Sequence, residues 1–215
     1  MRIMNKFFSE PYFEIWLKEA HPKIKEWFKK EVEYLKKYIK PKSKVLDVGC
    51  GFGRHIKVLA PFSEEVVGID NNEDMIKKAK NNLSNLSNAK ILLQDAKKLE
   101  FESDYFDYVI CMTNTFGDFP NIELDALKEM KRVCKKDGKI IISVYNDKAF
   151  KIRKKGYEKV GLHITKIKNG IVCTQEGLIS KQFTKKELKE LFDKVKLKSK
   201  ILELSPISFL CELNY

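Results

Sequence analysis

The sequence predicts an α/β protein built on a doubly wound, mostly parallel sheet. Three observations carry that expectation. Short apolar runs recur at residues 45–48, 66–69, 91–93, 106–112 and 138–144, each of strand length. Between them, apolar residues fall at helical spacing, as in Met75, Ile76, Ala79 and Leu83, or Leu124, Leu127, Met130 and Val133. Such alternation argues strand–helix–strand crossovers and therefore parallel pairing. The first run also passes directly into Gly49, Gly51 and Gly53 and then a helix from Arg54 to Ala60, which Pro61 stops by removing a backbone donor.

The elements can be justified in chain order. Residues 5–20 carry Phe7, Phe8, Tyr12, Phe13, Ile15, Trp16 and Leu17, too apolar for a loose tail; they either pack on the core or fold over a cleft. His21-Pro22 opens a helix, because proline suits a first turn. Ile24, Trp27, Phe28, Val32, Leu35 and Ile39 give that helix one apolar face, and Pro41 ends it. After the second strand, Asn72 caps a helix whose first turn holds Glu73 and Asp74, acids that favour its dipole. The helix through Val133 is expected to end in a left-handed cap at Asp137-Gly138.

Past residue 146 the period changes. Residues 147–157 read as a charged helix, and Asn169-Gly170, between runs at 163–167 and 171–174, is a hairpin signal. Thr184-Lys185-Lys186-Glu187 is a capping box opening a helix to about Val195. Residues 197–204 and 207–213, around Ser205-Pro206, read as a closing strand pair. The expected organisation is one domain: a helical flank (1–43), a ligand-binding core (44–146), a lid or substrate insert (147–183), and a terminal helix with its strand pair (184–215).

The spacing Asp47-x-Gly49-x-Gly51-x-Gly53 speaks against a dinucleotide. The G-x-G-x-x-G fingerprint wants a small sixth residue, and counting from Gly49 that residue is Arg54. A pyrophosphate would also face the Asp47 carboxylate, a like-charge contact in a partly dry cleft. A ligand with a cationic end reverses that sign, and S-adenosyl-L-methionine is one. At these residues the chain resembles the class I (Rossmann-like) S-adenosylmethionine-dependent methyltransferases, whose first motif reads (V/I)LD-x-G-x-G-x-G. The likeness continues through Val66-Val67-Gly68-Ile69-Asp70, Ile91-Leu92-Leu93-Gln94-Asp95-Ala96, Phe106-Asp107-Tyr108-Val109-Ile110-Cys111-Met112 and Gly138-Lys139-Ile140-Ile141-Ile142-Ser143-Val144, in order across residues 44–146.

The resemblance implies a seven-stranded sheet with an antiparallel last strand, here with a β-hairpin insert after strand five. It implies methyl transfer from S-adenosylmethionine, with both ribose hydroxyls on Asp70, Asn71 and Met75 near the adenine, and Asp95 and Ala96 at the adenine amino edge. With Asp47, Gly49, Gly51, Gly53 and Thr113, these form the expected cofactor site. Gly53 has a second reading as a position that relieves helix packing. Arg54 and His55 begin a helix near the methionine end, either touching the ligand or forming a solvated first turn.

Ligands of such sheets lie at the carboxyl ends of strands, which makes Asn114, Asp118 and Tyr145 the substrate candidates. The chemistry is an in-line displacement, so positioning and desolvation matter most, and no catalytic residue is singled out. Asn114-Thr115-Phe116-Gly117 lacks the two prolines of the N/D-P-P-Y/F signature of enzymes that methylate exocyclic amines. Cys111 lies inside a strand without the context of a cytosine-C5 nucleophile. Asp107, ahead of its apolar run, reads as structural, and His21 and His163 have no partner motif.

Composition narrows the class. A 43% hydrophobic fraction and no long apolar run exclude a membrane span, and residues 1–6 lack a signal-peptide core. Five scattered cysteines form no C-x-x-C pair, which argues reduced thiols in the cytoplasm, with neither a disulfide frame nor a metal site. The net charge of +12 is carried by lysine mixed with glutamate and only four arginines, a solubility pattern rather than a phosphate-reading one. The denser basic run at residues 148–155 is the exception. The favoured acceptor is therefore a small molecule. RNA or protein methylation, and a silent cofactor-binding module, are the alternatives, and oligomeric state has no sequence signal.

Overall fold

A computed structural model describes residues 12–119 and 121–215, of which 12–14 by backbone alone. Phe7 and Phe8 lie outside the described residues. A helix α1 (Tyr12–Glu19) precedes α2 (Pro22–Tyr38), whose cap is His21, its Nδ1 accepting from the Lys23 amide at 3.2 Å. The core then alternates: β1 (Lys44–Val48), α3 (Arg54–Leu59), β2 (Glu65–Asp70), α4 (Glu73–Asn82), β3 (Ala89–Leu93), β4 (Phe106–Cys111), α5 (Glu123–Val133) and β5 (Cys134–Tyr145). After it come α6 (Phe150–Lys159), β6 (Ile164–Lys168), β7 (Ile171–Thr174), β8 (Ile179–Lys181), α7 (Lys185–Lys194), β9 (Lys198–Ser205) and β10 (Ser208–Asn214).

The seven-stranded sheet has the order β3-β2-β1-β4-β5-β10-β9. β1 lies parallel between β2 and β4, with Leu46 beside Val67 and Val109, and only β10 runs against its neighbours. Because β1 is covered on both faces, Val45, Leu46 and Val48 are all buried. One face packs under α2, α3 and α4 through Leu35, Ile56 and Ile76. The other packs under α5 and α7 through Leu127, Met130 and Phe192. A third cluster of Trp16, Trp27, Tyr145, Tyr157 and Leu178 ties the first two helices to α6 and the insert.

Several sequence expectations shift. The run at 147–157 is helical, but from Phe150 to Lys159. The hairpin forms on Asn169-Gly170 and gains a third strand, β8, making a separate antiparallel sheet, β6-β7-β8. The α-helix from Arg54 ends at Leu59 with Ala60 as its cap, ahead of Pro61 as expected, and residues 60–62 follow as a 3-10 turn. The left-handed cap expected at Asp137-Gly138 is absent. Helix α5 stops at Val133 because Cys134 is already extended and paired with Phe106, and the ladder bulges before Tyr108 meets Lys139. Gly138 serves that bulge: a Cβ there would come within 2.7 Å of the Asp107 carbonyl. Asp107 itself is structural, accepting from the Lys44 amide and from Lys135 Nζ, each at 2.7 Å.

Gly53 caps α3 in the left-handed region (φ 87°), and an added Cβ would sit 2.5 Å from Leu83 Cδ1. Gly51 is also left-handed (φ 54°), yet a Cβ there meets nothing within 4 Å. Both alanine variants carry the backbone cost of about 1–2 kcal/mol, and only Gly53→Ala adds overpacking of about 1–3 kcal/mol. Urea denaturation is therefore expected to show Gly53→Ala as clearly less stable than Gly51→Ala; equal losses would mean that Leu83 moves aside freely.

Candidate active site

The parallel strands all point their carboxyl ends at one edge, and a cavity of about 260 Å³ opens there. Its floor is the loop after β1, where Gly49, Cys50, Gly51 and Phe52 line it. A Cβ at Gly49 would overlap the Thr115 methyl, so the loop presses directly on the turn after β4. At Gly51 the equivalent space is open, a backbone cradle with no side chain in it.

The β2 end supplies Asp70, whose Oδ2 accepts from the Gly51 amide and Oδ1 from the Asn72 amide, both at 3.0 Å. Burial raises its pKa, against the pull of those amides. These hydrogen bonds leave a carboxylate with further lone pairs, and Asp70 lines the cavity. Asn71, Met75, Asp95, Ala96 and Thr113 line the same space, as do Asn114, Asp118 and Tyr145. Asp95 is steadied by the Lys97 amide at 3.0 Å. Of the residues singled out by sequence, Asp47 and Gly53 do not line the cavity.

Asp47 is almost fully buried, and its Oδ2 lies 3.9 Å from His55 Nδ1 with no hydrogen bond. Burial lifts its carboxyl to about 6, although His55 and Arg54 draw it down. Asp47 thus sits behind His55, which does line the cavity. Beyond His55 stands a residue the sequence reading passed over. Glu31 of α2 is fully buried; its Oε1 accepts from the Thr113 amide at 2.8 Å, and its Oε2 from Thr113 Oγ1 at 2.8 Å and Arg54 Nη2 at 3.0 Å. His55 Nε2 is 3.6 Å away, an ion-pair distance rather than a hydrogen bond. Burial alone would raise Glu31, but these cations and donors win and hold it at about 2. Arg54 also lies over the Phe28 ring at 4.6 Å, so it is no solvated first turn.

The signal for Glu31 was present: an acid between Trp27 and Leu35, at four-residue spacing on the apolar face. What it secures is strained. Thr113 (φ 53°) and Asn114 (φ 65°) are successive non-glycine residues in the left-handed region. Asn114 is buried, accepting from the Tyr145 amide at 2.9 Å and donating to Asp118 Oδ1 at 3.2 Å and Ser180 Oγ at 3.1 Å. It thus fastens the turn after β4 to β5 and β8. Cys50 and Cys111 are buried, which pushes both thiols well up and leaves neither a ready nucleophile. Among the described residues no cluster of ligands could hold a metal ion, and no helix is long and apolar enough to cross a membrane.

A model described as a methyltransferase domain matches residues 39–196. The chain belongs to that family, and with it to the class I S-adenosylmethionine-dependent methyltransferases. It is 34% identical over 140 residues to a demethylmenaquinone methyltransferase of Staphylococcus carnosus, covering 62% of this chain and 55% of that one. It is 30% identical over 150 residues to an uncharacterized protein of Methanocaldococcus jannaschii, covering 70% and 64%. The chain thus spans little more than half to under two thirds of these relatives' length. A crystal structure from Pyrococcus horikoshii superposes with a TM-score of 0.69 at 28% identity, covering 87% of this chain and 90% of that one. A methyltransferase from Aquifex aeolicus described as SAM-dependent does so at 0.68 and 19% identity, covering 93% and 96%, which attests the fold.

Glu31→Gln should test the clamp. Removing one partner of a buried ion cluster costs about 3–5 kcal/mol, less here because Arg54 keeps some water contact. Glu31 has a depressed folded pKa, so its contribution is full above about 4.5 and fades as pH falls toward about 2. Melting curves should show a stability gap between wild type and variant that is wide at pH 7 and narrows at pH 3. A gap independent of pH would mean that shape, not charge, is what Glu31 supplies.

Proposed function

We propose that the protein transfers a methyl group from S-adenosylmethionine to a small-molecule acceptor in the cytoplasm. The open cradle at Gly51 and the spare acceptor capacity of Asp70 fit a nucleoside cofactor. Asp70 would take the ribose hydroxyls, Asn71, Met75, Asp95 and Ala96 the base, and Arg54 with the Asp47–His55 pair the charged methionine end. When bound, the cofactor supplies an electrophilic methyl group. The chain's own residues do the rest: they hold both reactants and keep water from them.

The observation that carries the small-acceptor reading is the wall of the cavity. Trp16 and Leu17 of α1, Tyr145 and Tyr157, and Leu178 with Ser180 of the insert all line it. A lining of this kind suits a compact, partly apolar ligand. The basic run at 148–155 gives little support to a nucleic-acid partner: Arg153 is fully buried, Lys148 reaches Glu203 at 3.6 Å, and Lys154 reaches Glu158 at 3.6 Å. The Staphylococcus carnosus relative, named for demethylmenaquinone, is consistent with a small acceptor.

Calorimetry is expected to show binding of S-adenosylhomocysteine that Asp70→Ala weakens at least about tenfold, since a hydrogen bond to a charged group is worth about 1.5–3 kcal/mol. Unchanged affinity would remove Asp70 from the cofactor seat. Labelled S-adenosylmethionine with fractionated cell extract should then pass label to a dialysable product. Hydrogen exchange should show cofactor-dependent protection in α1 and in residues 163–181. Label on RNA or protein, with no added protection in either segment, would transfer the reading to a macromolecular acceptor, and binding without any labelled product to a silent module.

A further inference from the structure

The cavity has two chemically different ends. Three acids line it: Asp70 and Asp95, at the β2 and β3 ends, and Asp118 in the 3-10 turn after β4. The first two are placed for a nucleoside, and Asp118 stands across from them with Tyr145, Tyr157 and Leu178. The left-handed pair Thr113–Asn114 throws the turn into the cavity, and Asn114 orients the carboxyl by its 3.2 Å bond to Oδ1.

The surroundings of Asp118 can be named element by element. Asn114 comes from its own turn, Ser180 from β8, Tyr145 from β5, Tyr157 and Arg153 from α6, and Cys111 lies beneath at the end of β4. Ser180 Oγ already accepts from Asn114 Nδ2 and, at 3.4 Å, from the Tyr157 hydroxyl, so its own hydrogen is directed at Asp118. Arg153 is the only cation among them. It is wholly buried, lies 4.8 Å from the Tyr145 ring, and spends its donors on Ser180 O, Gln182 Oε1 and Gly170 O. Its Nε has no partner, and among the described residues no carboxylate stands within ion-pair distance of it. Tyr145 Oη is likewise buried without a partner.

We propose that Asp118 is the catalytic base of the transfer, accepting the proton of an acceptor whose nucleophilic oxygen or nitrogen still bears hydrogen. The proposal rests on the small-acceptor reading and deepens it to a class: weakly acidic O–H or N–H compounds, such as phenols and azoles. Burial pushes the carboxyl up to about 7, while Ser180, Arg153 and Asn114 keep it from rising further. A base poised there is ionised in part at neutral pH and still holds a proton well. His55, which also lines the cavity, stands between two carboxylates, 3.9 Å from Asp47 and 3.6 Å from Glu31.

The step balances. The acceptor's O–H or N–H bond breaks toward Asp118, and the freed electron pair forms the new bond to the methyl carbon. The carbon–sulfur pair leaves with the neutral thioether, and Asp118 returns the proton to solvent. The net products are the methylated acceptor, S-adenosylhomocysteine and one proton.

Two measurements test this. In the S-adenosylhomocysteine complex, 13C NMR of labelled aspartate Cγ should show a carboxyl titrating near neutrality that disappears in Asp118→Asn; titration of Asp118 below about 5 would overturn the proposal without any acceptor in hand. With an acceptor from the labelled extract, or from a panel of phenols and azoles, Asp118→Asn should lower kcat by about 100-fold or more and abolish the acid limb of the pH–rate profile. Its affinity for S-adenosylhomocysteine should be unchanged. A rise in KM with kcat intact would show that Asp118 binds a cationic amine instead, which also overturns it. Loss of cofactor binding in the wild type would sink the methyltransferase reading itself, an outcome separate from both.

Discussion

A single buried carboxylate holds the site together. Glu31 reaches from α2 beneath the cavity wall and binds the Thr113 amide, the Thr113 hydroxyl and the Arg54 guanidinium at once. Without it, the Arg54 guanidinium at the head of α3 would face a low-dielectric pocket uncompensated, and the left-handed turn after β4 would lose its anchor. The glycine loop and that turn press on each other at Gly49 and Thr115. A shift at Glu31 therefore reaches the loop that floors the cavity as well as the turn that carries Asn114 and Asp118.

This arrangement explains why the polar groups of the cavity fall into two sets. The parallel strands are covered on both faces, so polar chemistry is confined to their carboxyl ends. At β1, β2 and β3 the ends present backbone amides and carboxylates with spare acceptor capacity. At β4 and β5 they present Asn114, Asp118 and Tyr145, backed by Arg153 and the β8 serine. Burying Arg153 with no carboxylate partner among the described residues is costly, and carbonyl dipoles with two aromatic rings offset part of that cost. The field it leaves falls on the β4–β5 end of the cavity.

Much of this was legible in the sequence because the core obeys local rules. Asn72, Thr184 and the Asn169-Gly170 turn behave as their chemistry dictates, and the glycine spacing located the cavity floor. Glu31 and Arg153 were not legible in the same way. Each sits in a segment where its neighbours set the expectation, an apolar stripe for one and a solvated lysine run for the other. The stripe places Glu31 on the buried face, but only distant partners, Thr113 for Glu31 and Gln182 and Tyr145 for Arg153, show what each charge is held by. Asp137-Gly138 misled for a related reason: its glycine answers to the approach of the neighbouring strand, which no local pattern encodes.

The order of the strands has a consequence for synthesis. β10 is inserted between β5 and β9, although β9 precedes it in the chain. As the polypeptide emerges, residues 44–145 can assemble five strands while the outer edge of β5 has no neighbour. That edge, with Ile140, Ile142 and Val144 along it, stays open until residues 208–214 arrive to close it. Open apolar edges invite pairing with other chains. The nascent protein is thus most exposed to misassembly late, after the edge that carries the cavity has formed, and the strand that ends the exposure is the one that runs against all the others.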